Sequence, residues 1–384
     1  MRIGILTQPL NRNYGGLIQA YALQKHLQDE GHEVWLLNRH YGKEHKLPFR
    51  RRIVPTIKGF IYRTLNRKKT FVIDDADLQT INKECKEFVN NHIKPITKEL
   101  YSGKELLQEV IDKKIDLLVV GSDQVWRPLY SPDINDYFFG FAKDINIKRI
   151  SYAASFGVDN WEYTSSETKA CRSLANLFDG ISVRENSAVE LCKNHLNVDS
   201  EFVLDPTMLH RQEDYEQLVY DAKIGKSGHG MFCYFLDETA RETEIAKKIE
   251  SILGLPSYRV KPKNASTEEN IREDIESCVH PSPLKWLRAF MDADIVLTNS
   301  FHGCVFSIIF KKNFWVIGNK KRGNARFDSL LKLFGLENRR IFDISELSCE
   351  RISTPIEWKE VYDVLEKYRI TSKQFLKKHI SRYE

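Results

Sequence analysis

The chain begins with a strand, a helix and a second strand, and this pattern constrains the fold more than any other feature of the sequence. The apolar run Ile3 to Leu6 is typical of a buried strand. Gly15-Gly16 opens a helix predicted from about Leu17 to Asp29, with apolar side chains at helical spacing. Gly31 ends the helix, and Glu33 to Leu37 is the next strand. A helix between consecutive strands is typical of a parallel sheet, so the sequence predicts an α/β fold.

The same alternation continues and then starts again near Met231. Further strands of the first unit are predicted at 115–120, 149–153, 180–183 and 201–204, and strands of the second at 231–236, 257–260, 295–297 and 313–318. We therefore predict two Rossmann-like, doubly wound α/β domains, residues 1–222 and 231–355, followed by a helical segment, 356–384. Ligands of such sheets bind at the carboxyl ends of the strands, so the expected site is the cleft between the domains.

Composition excludes several other classes of protein. Apolar residues make up 42% of the chain and charged residues 29%, which is ordinary for a globular protein. No apolar run is long enough to span a bilayer, and the N-terminus predicts a strand rather than a signal peptide, so we expect a cytoplasmic protein. The net charge of +5 is mild, and no nucleic-acid partner is expected. The seven cysteines are scattered and form no CxxC pair, which favours buried free thiols over disulfides or a zinc site.

Two groups of polar residues follow strands of the first unit. The segment Asn13-Tyr14-Gly15-Gly16-Leu17-Ile18-Gln19 leads into a helix, but it lacks the full GxGxxG pattern of a dinucleotide site and could simply be a tight turn. In Gly121-Ser122-Asp123-Gln124-Val125-Trp126, a carboxylate, an amide and an indole follow one strand, a combination that suits a sugar. Alternatively, Asp123 caps a helix.

Two further groups could bind an anion. Arg184 follows a strand, and its planar guanidinium could hold a carboxylate or phosphate through two bonds, or pair structurally with Glu185. In Ser300-Phe301-His302-Gly303 a buried strand runs into a helix, whose N-terminus attracts anions, although His302 could merely cap that helix. The cationic loop that follows the next strand contains Lys320, Lys321, Arg322 and Arg326. Asp75-Ala76-Asp77 resembles a metal site but reads better as an acidic helix start, and no metal site is predicted.

Taken in order, these segments resemble the polysaccharide pyruvyl transferase family over roughly residues 1 to 335. The resemblance rests on Ile3-Gly4-Ile5-Leu6-Thr7 with Asn13-Tyr14-Gly15-Gly16 and Gln19-Ala20-Tyr21-Ala22-Leu23, on Gly121 to Trp126, Ser182-Val183-Arg184-Glu185 and Leu204-Asp205-Pro206-Thr207, and on Ser300 to Gly303. It implies a fold similar to GT-B glycosyltransferases. It also implies transfer of pyruvate from phosphoenolpyruvate to two hydroxyls of a sugar, which gives a cyclic ketal without metal, nucleotide or other cofactor.

The resemblance, together with the chemistry of the residues, predicts three sets of site residues. The catalytic residues are His302, as acid or phosphate partner, and Asp123, as base or acceptor orienter. The donor would be bound by Arg184, Ser300, His302, Arg326 and Arg322. The acceptor, a sugar expected to be a lipid-linked oligosaccharide of cell-surface or capsular polysaccharide synthesis, would be bound by Asn13, Tyr14, Gly15, Gly16, Gln19, Gln124 and Trp126. The first domain would thus be the acceptor side and the second the donor side.

Two other functions remain open on the sequence. A nucleotide-sugar-dependent glycosyltransferase could share the architecture, but the C-terminal half offers no clear carboxylate for a ribose. A non-catalytic carbohydrate- or lipid-binding module is the alternative outside the enzymes.

The segment from Lys46 to Lys69 adds a possible membrane contact. It contains nine Lys or Arg residues and no acidic residue, and apolar side chains after Pro55 fall on one helical face. A basic amphipathic helix can lie on an anionic lipid surface, at the inner face of the membrane, although it could equally pack on the first domain.

Overall fold

Two parallel β-sheets with the same strand order form the framework of the protein. The computed structural model describes residues 1–42, 73–318 and 325–380. The first sheet contains β1 (Arg2–Leu6), β2 (Glu33–Leu36), β3 (Leu117–Val120), β4 (Lys148–Ala154), β5 (Gly180–Val183) and β6 (Glu201–Phe202), in the order β2-β1-β3-β4-β5-β6. The second contains β7 (Met231–Tyr234), β8 (Ser257–Tyr258), β9 (Ile295–Thr298), β10 (Asn313–Ile317) and β11 (Arg340–Ile341), in the order β11-β10-β9-β7-β8.

Helices connect the strands and cover the sheets. In chain order they are α1 (Tyr14–Asp29), α2 (Asp75–Ile81), α3 (Lys83–His92), α4 (Gly103–Asp112), α5 (Ser165–Ala175), α6 (Asn186–Leu191), α7 (Gln212–Asp221), α8 (Ala240–Leu253), α9 (Glu268–Asp274), α10 (Pro283–Asp292), α11 (Phe301–Ile309), α12 (Ala325–Leu333), α13 (Cys349–Ser353) and α14 (Trp358–Ile380). The predicted fold class, two doubly wound α/β domains, is confirmed.

The central strands are apolar throughout because helices lie on both faces of each sheet. All four residues of β3, Leu117 to Val120, are fully buried. Strands buried on both faces lose the apolar–polar alternation of half-exposed strands, and each buried Leu or Val contributes about 1.5–3 kcal/mol. The core also continues across the domains: the ring of Tyr14 on α1 lies 5.9 Å from that of Trp286 on α10.

The two sheets reverse their strand order at corresponding places. In the first sheet the reversal lies between β1 and β3, and in the second between β7 and β9. Loops that leave neighbouring strands at such a point diverge to opposite faces of the sheet and open a crevice. Both crevices contribute to a single site between the sheets.

The last helix, α14, returns to the first domain. Arg369 donates to the carbonyl oxygens of Met208 (2.8 Å) and His210 (3.1 Å). The backbone N–H of Leu204 donates to Ser372 Oγ at 3.0 Å. The helical segment predicted after residue 355 is therefore present as α14, and it supports the loop that follows β6.

Some element boundaries differ from the sequence prediction. Helix α1 begins at Tyr14, so Gly15 and Gly16 lie in its first turn rather than before it. Strand β6 ends at Phe202, before the predicted Leu204, whose N–H is bonded by α14 instead of a neighbouring strand. The acidic segment at Asp75 begins α2, where Asp74 accepts from Asp77 N at 2.8 Å.

Other predictions concern what the chain lacks. In the described residues no group of three His, Cys, Asp or Glu side chains could hold a metal ion. None of the described helices is long and apolar enough to cross a bilayer. All seven cysteines are free thiols; six are buried and Cys349 is exposed. The basic segment from Lys46 to Lys69 lies outside the described residues.

Candidate active site

A cavity of about 370 Å³ lies between the carboxyl ends of the two sheets. Loops after β1 and β3 line it from the first domain, and loops after β7, β8 and β9 line it from the second. Its inner end is formed by Asp123, Ser300, Phe301, His302 and Arg326, and its outer end by Arg12, Glu238, Arg259, Lys261 and His280. The prediction of a site in the interdomain cleft therefore corresponds to an actual cavity.

His302 lies in the first turn of α11 and contacts the first domain. Ser300 caps this helix, with Oγ accepting from Gly303 N at 3.4 Å. The imidazole packs against Gly15 so closely that a Cβ on this glycine would lie 2.2 Å from Nδ1. On the other side of the ring, Nε2 lies 3.5 Å from Asp205 Oδ2 and has no hydrogen-bond partner. Gly15 and Asp205 together fix the position of the ring.

Asp205 is the centre of a buried charge network behind His302. It accepts from Arg184 Nη1 at 2.6 Å, from Thr207 Oγ1 at 2.7 Å and from Thr207 N at 3.0 Å. Burial by itself would raise the pKa of Asp205, but His302, then Arg184 and Thr207, outweigh it and hold the pKa well below the usual range. Asp205 is therefore ionised and is not a proton donor at neutral pH.

Asp123 follows β3 and reaches the cavity. Its backbone φ is +70°, a left-handed conformation that non-glycine residues rarely adopt and that often marks a functional site. Its Oδ1 accepts from Arg184 Nη2 at 3.3 Å, whereas Oδ2 has no hydrogen bond within the described residues. Burial raises the pKa of Asp123, but Arg184, His302 and Arg326 more than compensate, so the pKa is lowered. The result is an ionised carboxylate with one oxygen available.

Arg184 does not occupy the place that the sequence analysis predicted for it. The side chain is almost fully buried, between Asp205 and Asp123 and 4.4 Å from the Phe301 ring, and it does not line the cavity. The alternative pair with Glu185 is also absent, since that carboxylate accepts from Ser155 Oγ, Phe156 N and Gly157 N. Arg184 thus neutralises and orients the two aspartates, because each of its two terminal nitrogens donates to one of them.

Arg326, in contrast, lines the cavity, and its donor-binding role stays a prediction. It is 8% exposed, its Nε has no hydrogen-bond partner, and no carboxylate of the described residues lies within ion-pair distance. Burial, followed by repulsion from Arg184, lowers the pKa of Arg326 to about 10. A buried cation without a counter-ion is costly, and an anionic ligand would remove that cost. The neighbouring predicted residue Arg322, with Lys320 and Lys321, lies outside the described residues.

The predicted acceptor residues divide into those at the cavity, those that pack behind it, and Trp126, which is described in the next paragraph. Asn13, Tyr14 and Gln124 line the cavity, and Gly16 lies beneath the Asn13 amide. Gly15 makes room for His302, and Gln19, which is 1% exposed, donates to Thr7 Oγ1 and Gly16 O and accepts from Ser122 N. These two residues hold the site together and do not reach a sugar.

The prediction for Trp126 is wrong. Its side chain is fully buried, its ring stacks on Phe138 at 4.8 Å, and its Nε1 donates to Tyr137 O at 3.0 Å. The reason lies in the turn after Asp123, where Trp126 N donates to Ser155 O at 3.1 Å and the chain folds back under the sheet. The indole therefore belongs to the core of the first domain.

The outer end of the cavity was missed by the sequence analysis. Arg259 and Lys261 both pair with Glu238, at 2.7 and 3.4 Å. Arg12 Nη1 lies 3.4 Å from His280 Nε2, and burial, followed by Arg12, lowers the pKa of His280 to about 4, so the ring is neutral at pH 7. Arg259 follows β8 directly, so the rule that ligand groups follow strand ends could have found it.

Comparison with known structures agrees with the fold. The UDP-N-acetylglucosamine 2-epimerase of Rickettsia bellii superposes with a TM-score of 0.52 and 8% identity, covering 98% of this chain and 95% of the other. MurG of Acinetobacter baumannii gives a TM-score of 0.43 and 10% identity over 98% and 99% of the two chains. A glycosyltransferase from Rickettsia africae gives 0.44 and 10% over 99% and 94%. At 8% identity the similarity to the epimerase concerns the two-domain fold alone, and the two lower TM-scores add nothing to it.

Comparison of the sequence identifies the family. No curated protein matches the chain significantly. The model of one family, polysaccharide pyruvyl transferase, matches residues 13–321. This range includes α1 with Gly15, the loop with Asp123, the Arg184–Asp205 network and the helix with His302, whereas Arg326 of the inner end lies beyond it. The chain belongs to the polysaccharide pyruvyl transferase family.

Proposed function

We propose that the protein transfers pyruvate from phosphoenolpyruvate to two hydroxyls of one sugar residue, forming a cyclic ketal and releasing phosphate. The observation that supports this best is the inner end of the cavity. There Arg326, a buried cation with no carboxylate of the described residues within ion-pair distance, lies with a helix N-terminus and an imidazole beside the ionised carboxylate of Asp123. Such a combination can bind a small dianion and activate a hydroxyl in the same place.

The donor carries a carboxylate and a phosphate on three carbons. Arg326 can bind one of these anions through two parallel N–H···O bonds. The amides at the N-terminus of α11 and the Ser300 hydroxyl can bind the other, since the positive end of the helix dipole points into the cavity. The cationic groups of the outer end raise the local concentration of an anionic donor.

The chemistry requires one proton on carbon and one on the leaving phosphate. Protonation of the donor methylene turns C2 into an electrophile, the first sugar hydroxyl attacks C2, phosphate leaves, and the second hydroxyl closes the ketal. Of the two hydroxyl protons, one replaces the proton that is delivered to the methylene carbon and the other leaves with the phosphate, so the protons balance. In this proposal His302, whose Nε2 lies 3.5 Å from Asp205, delivers the proton, and Oδ2 of Asp123 accepts one from the attacking hydroxyl. Acid–base roles of this kind contribute about 10²- to 10⁴-fold each in rate.

One observation favours a second candidate, a nucleotide-sugar-dependent glycosyltransferase. The sequence analysis found no carboxylate for a ribose, but Glu238 lies in the cavity, in the second domain. Its oxygens are engaged by Arg259 and Lys261, which lower its pKa against the effect of burial. A carboxylate held by two cations is a poorer partner for a ribose, so we favour phosphoenolpyruvate.

Incubation with phosphoenolpyruvate and lipid-linked oligosaccharides tests the proposal. We expect phosphate release that depends on the acceptor, and a product heavier than the acceptor by pyruvate minus water. UDP- and GDP-sugars should give neither a product nor a thermal shift. Transfer of a hexose, or stabilisation by a nucleotide sugar alone, would establish the glycosyltransferase instead, and ligand binding that survives His302→Ala without any turnover in the parent would support a non-catalytic module.

An acceptor built on a lipid carrier would place the substrate at the cytoplasmic face of a membrane. Peripheral binding through the basic segment from Lys46 to Lys69 would bring the enzyme to it, with each basic residue near an anionic surface contributing about 1 kcal/mol. Co-sedimentation with anionic vesicles should fall as salt is added. It should also fall when Arg63, Arg67, Lys68 and Lys69 are changed to Gln. Absence of vesicle binding at low salt would remove the membrane contact.

A further inference from the structure

A second pocket adjoins the cavity on the side of the first domain. It measures about 220 Å³ and shares a wall with the cavity, formed by Asn11, Asn13, Asp123 and Gln124. Its remaining lining comes mainly from the loop after β1 and from two tyrosines, Tyr41 and Tyr130. Asp123, on the shared wall, lines both spaces, and its Oδ2 accepts no hydrogen bond from the described residues.

The two spaces differ in charge. The cavity is lined by four Arg or Lys side chains, Arg12, Arg259, Lys261 and Arg326. Among the described residues, the second pocket is lined by a single charged side chain, and that one is the carboxylate of Asp123. Arg127, which is next to the pocket in sequence, is engaged by Glu162 through bonds of 2.9 and 3.0 Å. Among the described residues, a negatively charged ligand in the second pocket would therefore face Asp123, and the nearby cation Arg127 is already bonded to Glu162 and Gln124.

The uncharged lining matches a sugar ring. The amides of Asn11, Asn13 and Gln124 supply polar groups, and Leu10 and Leu17 supply apolar surface. Apolar surface with a few convergent polar groups is the usual composition of a small-ligand pocket.

We propose that the second pocket binds the acceptor as an uncharged pyranose, with its attacking hydroxyls turned toward Asp123, and that it discriminates against uronic acids. This inference rests on the proposed function for the identity of the acceptor reaction. Beyond that function, it assigns the acceptor to the second pocket, with the lining residues Gln8, Tyr41 and Tyr130, and predicts that the acceptor sugar is uncharged. The arrangement separates an anionic donor from a neutral acceptor on the two sides of one carboxylate.

Binding measured without phosphoenolpyruvate tests the pocket independently of the reaction. Saturation-transfer NMR is applied with a panel of neutral methyl hexopyranosides and the uronide of each sugar. We expect the preferred neutral sugar to bind at least about tenfold more tightly than its uronide, because the uronide carboxylate would lie unpaired beside Asp123. Equal or tighter binding of the uronide, or no binding of any neutral sugar, would overturn the proposal. A parent protein that binds neutral sugars but never uses phosphoenolpyruvate would refute the proposed function and leave the pocket standing.

A charge placed in the pocket should reverse the preference. Asn11→Arg places a cation in the pocket, so the affinity for the uronide should rise. The ratio of its affinity to that of the neutral sugar should shift by about tenfold. Asn176→Arg is the matched control: Asn176 is exposed after α5 and before β5, on the side of the amino ends of the strands and away from the pocket, and the change should alter neither affinity. If Asn11→Arg fails to fold, as judged by circular dichroism, Asn13→Arg replaces it, since Asn13 is exposed and makes no capping bond. An unchanged ratio in a folded variant contradicts the inference.

Discussion

The two sheets have the same topology around their reversal points, yet they contribute different chemistry to the site. The first sheet supplies the carboxylates of Asp123 and Asp205, both held by the buried guanidinium of Arg184. The second supplies groups with few partners: His302, whose Nε2 lacks a hydrogen bond, and Arg326, whose Nε also lacks one. The comparison teaches that topology decides where a site lies. The loops decide which side chains are already held by protein partners and which are left to bind a ligand.

The largest effect is expected in the second domain. His302→Ala removes the proposed proton donor and should lower turnover by about 10²- to 10⁴-fold. The fold should persist, because Asp205 keeps Arg184 and Thr207 as partners. Phosphate release and thermal melting are the two measurements. His229→Ala, at an exposed histidine, is the control, and turnover within tenfold of the parent would remove His302 from the mechanism.

A pair of adjacent glycines tests whether the first domain fixes His302. Gly15→Ala places a Cβ 2.2 Å from Nδ1 and must displace the ring, so turnover should fall nearly as far as in His302→Ala. Gly16→Ala, one residue later in the same helical turn, meets only the flexible Asn13 amide at 3.1 Å and should cost far less. Equal activities of the two variants would show that the contact with Gly15 does not position the imidazole.

Arg184 should affect stability more than donor binding. Removing one partner of a buried ion pair costs about 3–5 kcal/mol, so Arg184→Met should lower the free energy of unfolding in urea by about that amount. Arg184→Lys keeps the charge but loses the fork and should cost about 1–3 kcal/mol. Arg272→Lys, at a largely exposed pair, should change little. A normal unfolding free energy with a raised Michaelis constant for phosphoenolpyruvate would restore the donor role that the sequence predicted.

Acid should destabilise the first domain through His26 on α1. Burial, then Lys373 and His210, lowers the pKa of His26 to about 4. In the unfolded chain His26 is therefore protonated near pH 6.5, whereas in the folded protein it is protonated only near pH 4. Stability is full above pH 6.5 and should fall by up to about 3 kcal/mol as the pH drops toward 4. Urea unfolding at several pH values measures this slope, and His26→Gln should flatten it; a slope that survives in the variant would assign the loss to other groups.

The smallest effect is expected at the outer end of the cavity. Arg259→Gln and Lys261→Gln weaken an exposed network with Glu238, and such pairs contribute about 0.2–1 kcal/mol. The Michaelis constant for phosphoenolpyruvate should rise by less than about fivefold, with an effect that vanishes at high salt. A loss as large as that of His302→Ala would move the donor from the inner to the outer end.

The parts of the site that sequence could predict are those whose signal is local. An apolar strand running into Ser300 and a helix locates His302, and the apolar strand before Gly121 locates Asp123. The parts that it could not predict depend on residues far apart in the chain. Arg184 contacts Asp205 and Asp123 only because the ends of three strands come together in the fold, so the local sequence could not predict these ion pairs. Likewise, nothing in the local sequence shows that the turn after Asp123 directs Trp126 inward, or that Gly15 leaves space for a ring from the other domain.

Because helix α14 lies at the end of the described chain, its contacts decide when during translation the loop after β6 is fully supported. Its residues Arg369 and Ser372 bond the backbone of the loop that contains Asp205. During translation, therefore, the first domain can form its sheet but cannot complete the support of that loop until residues 369–372 have left the ribosome. Ribosome-bound chains halted before this point should show the loop after β6 cut readily by proteases, while β1 to β5 are already protected.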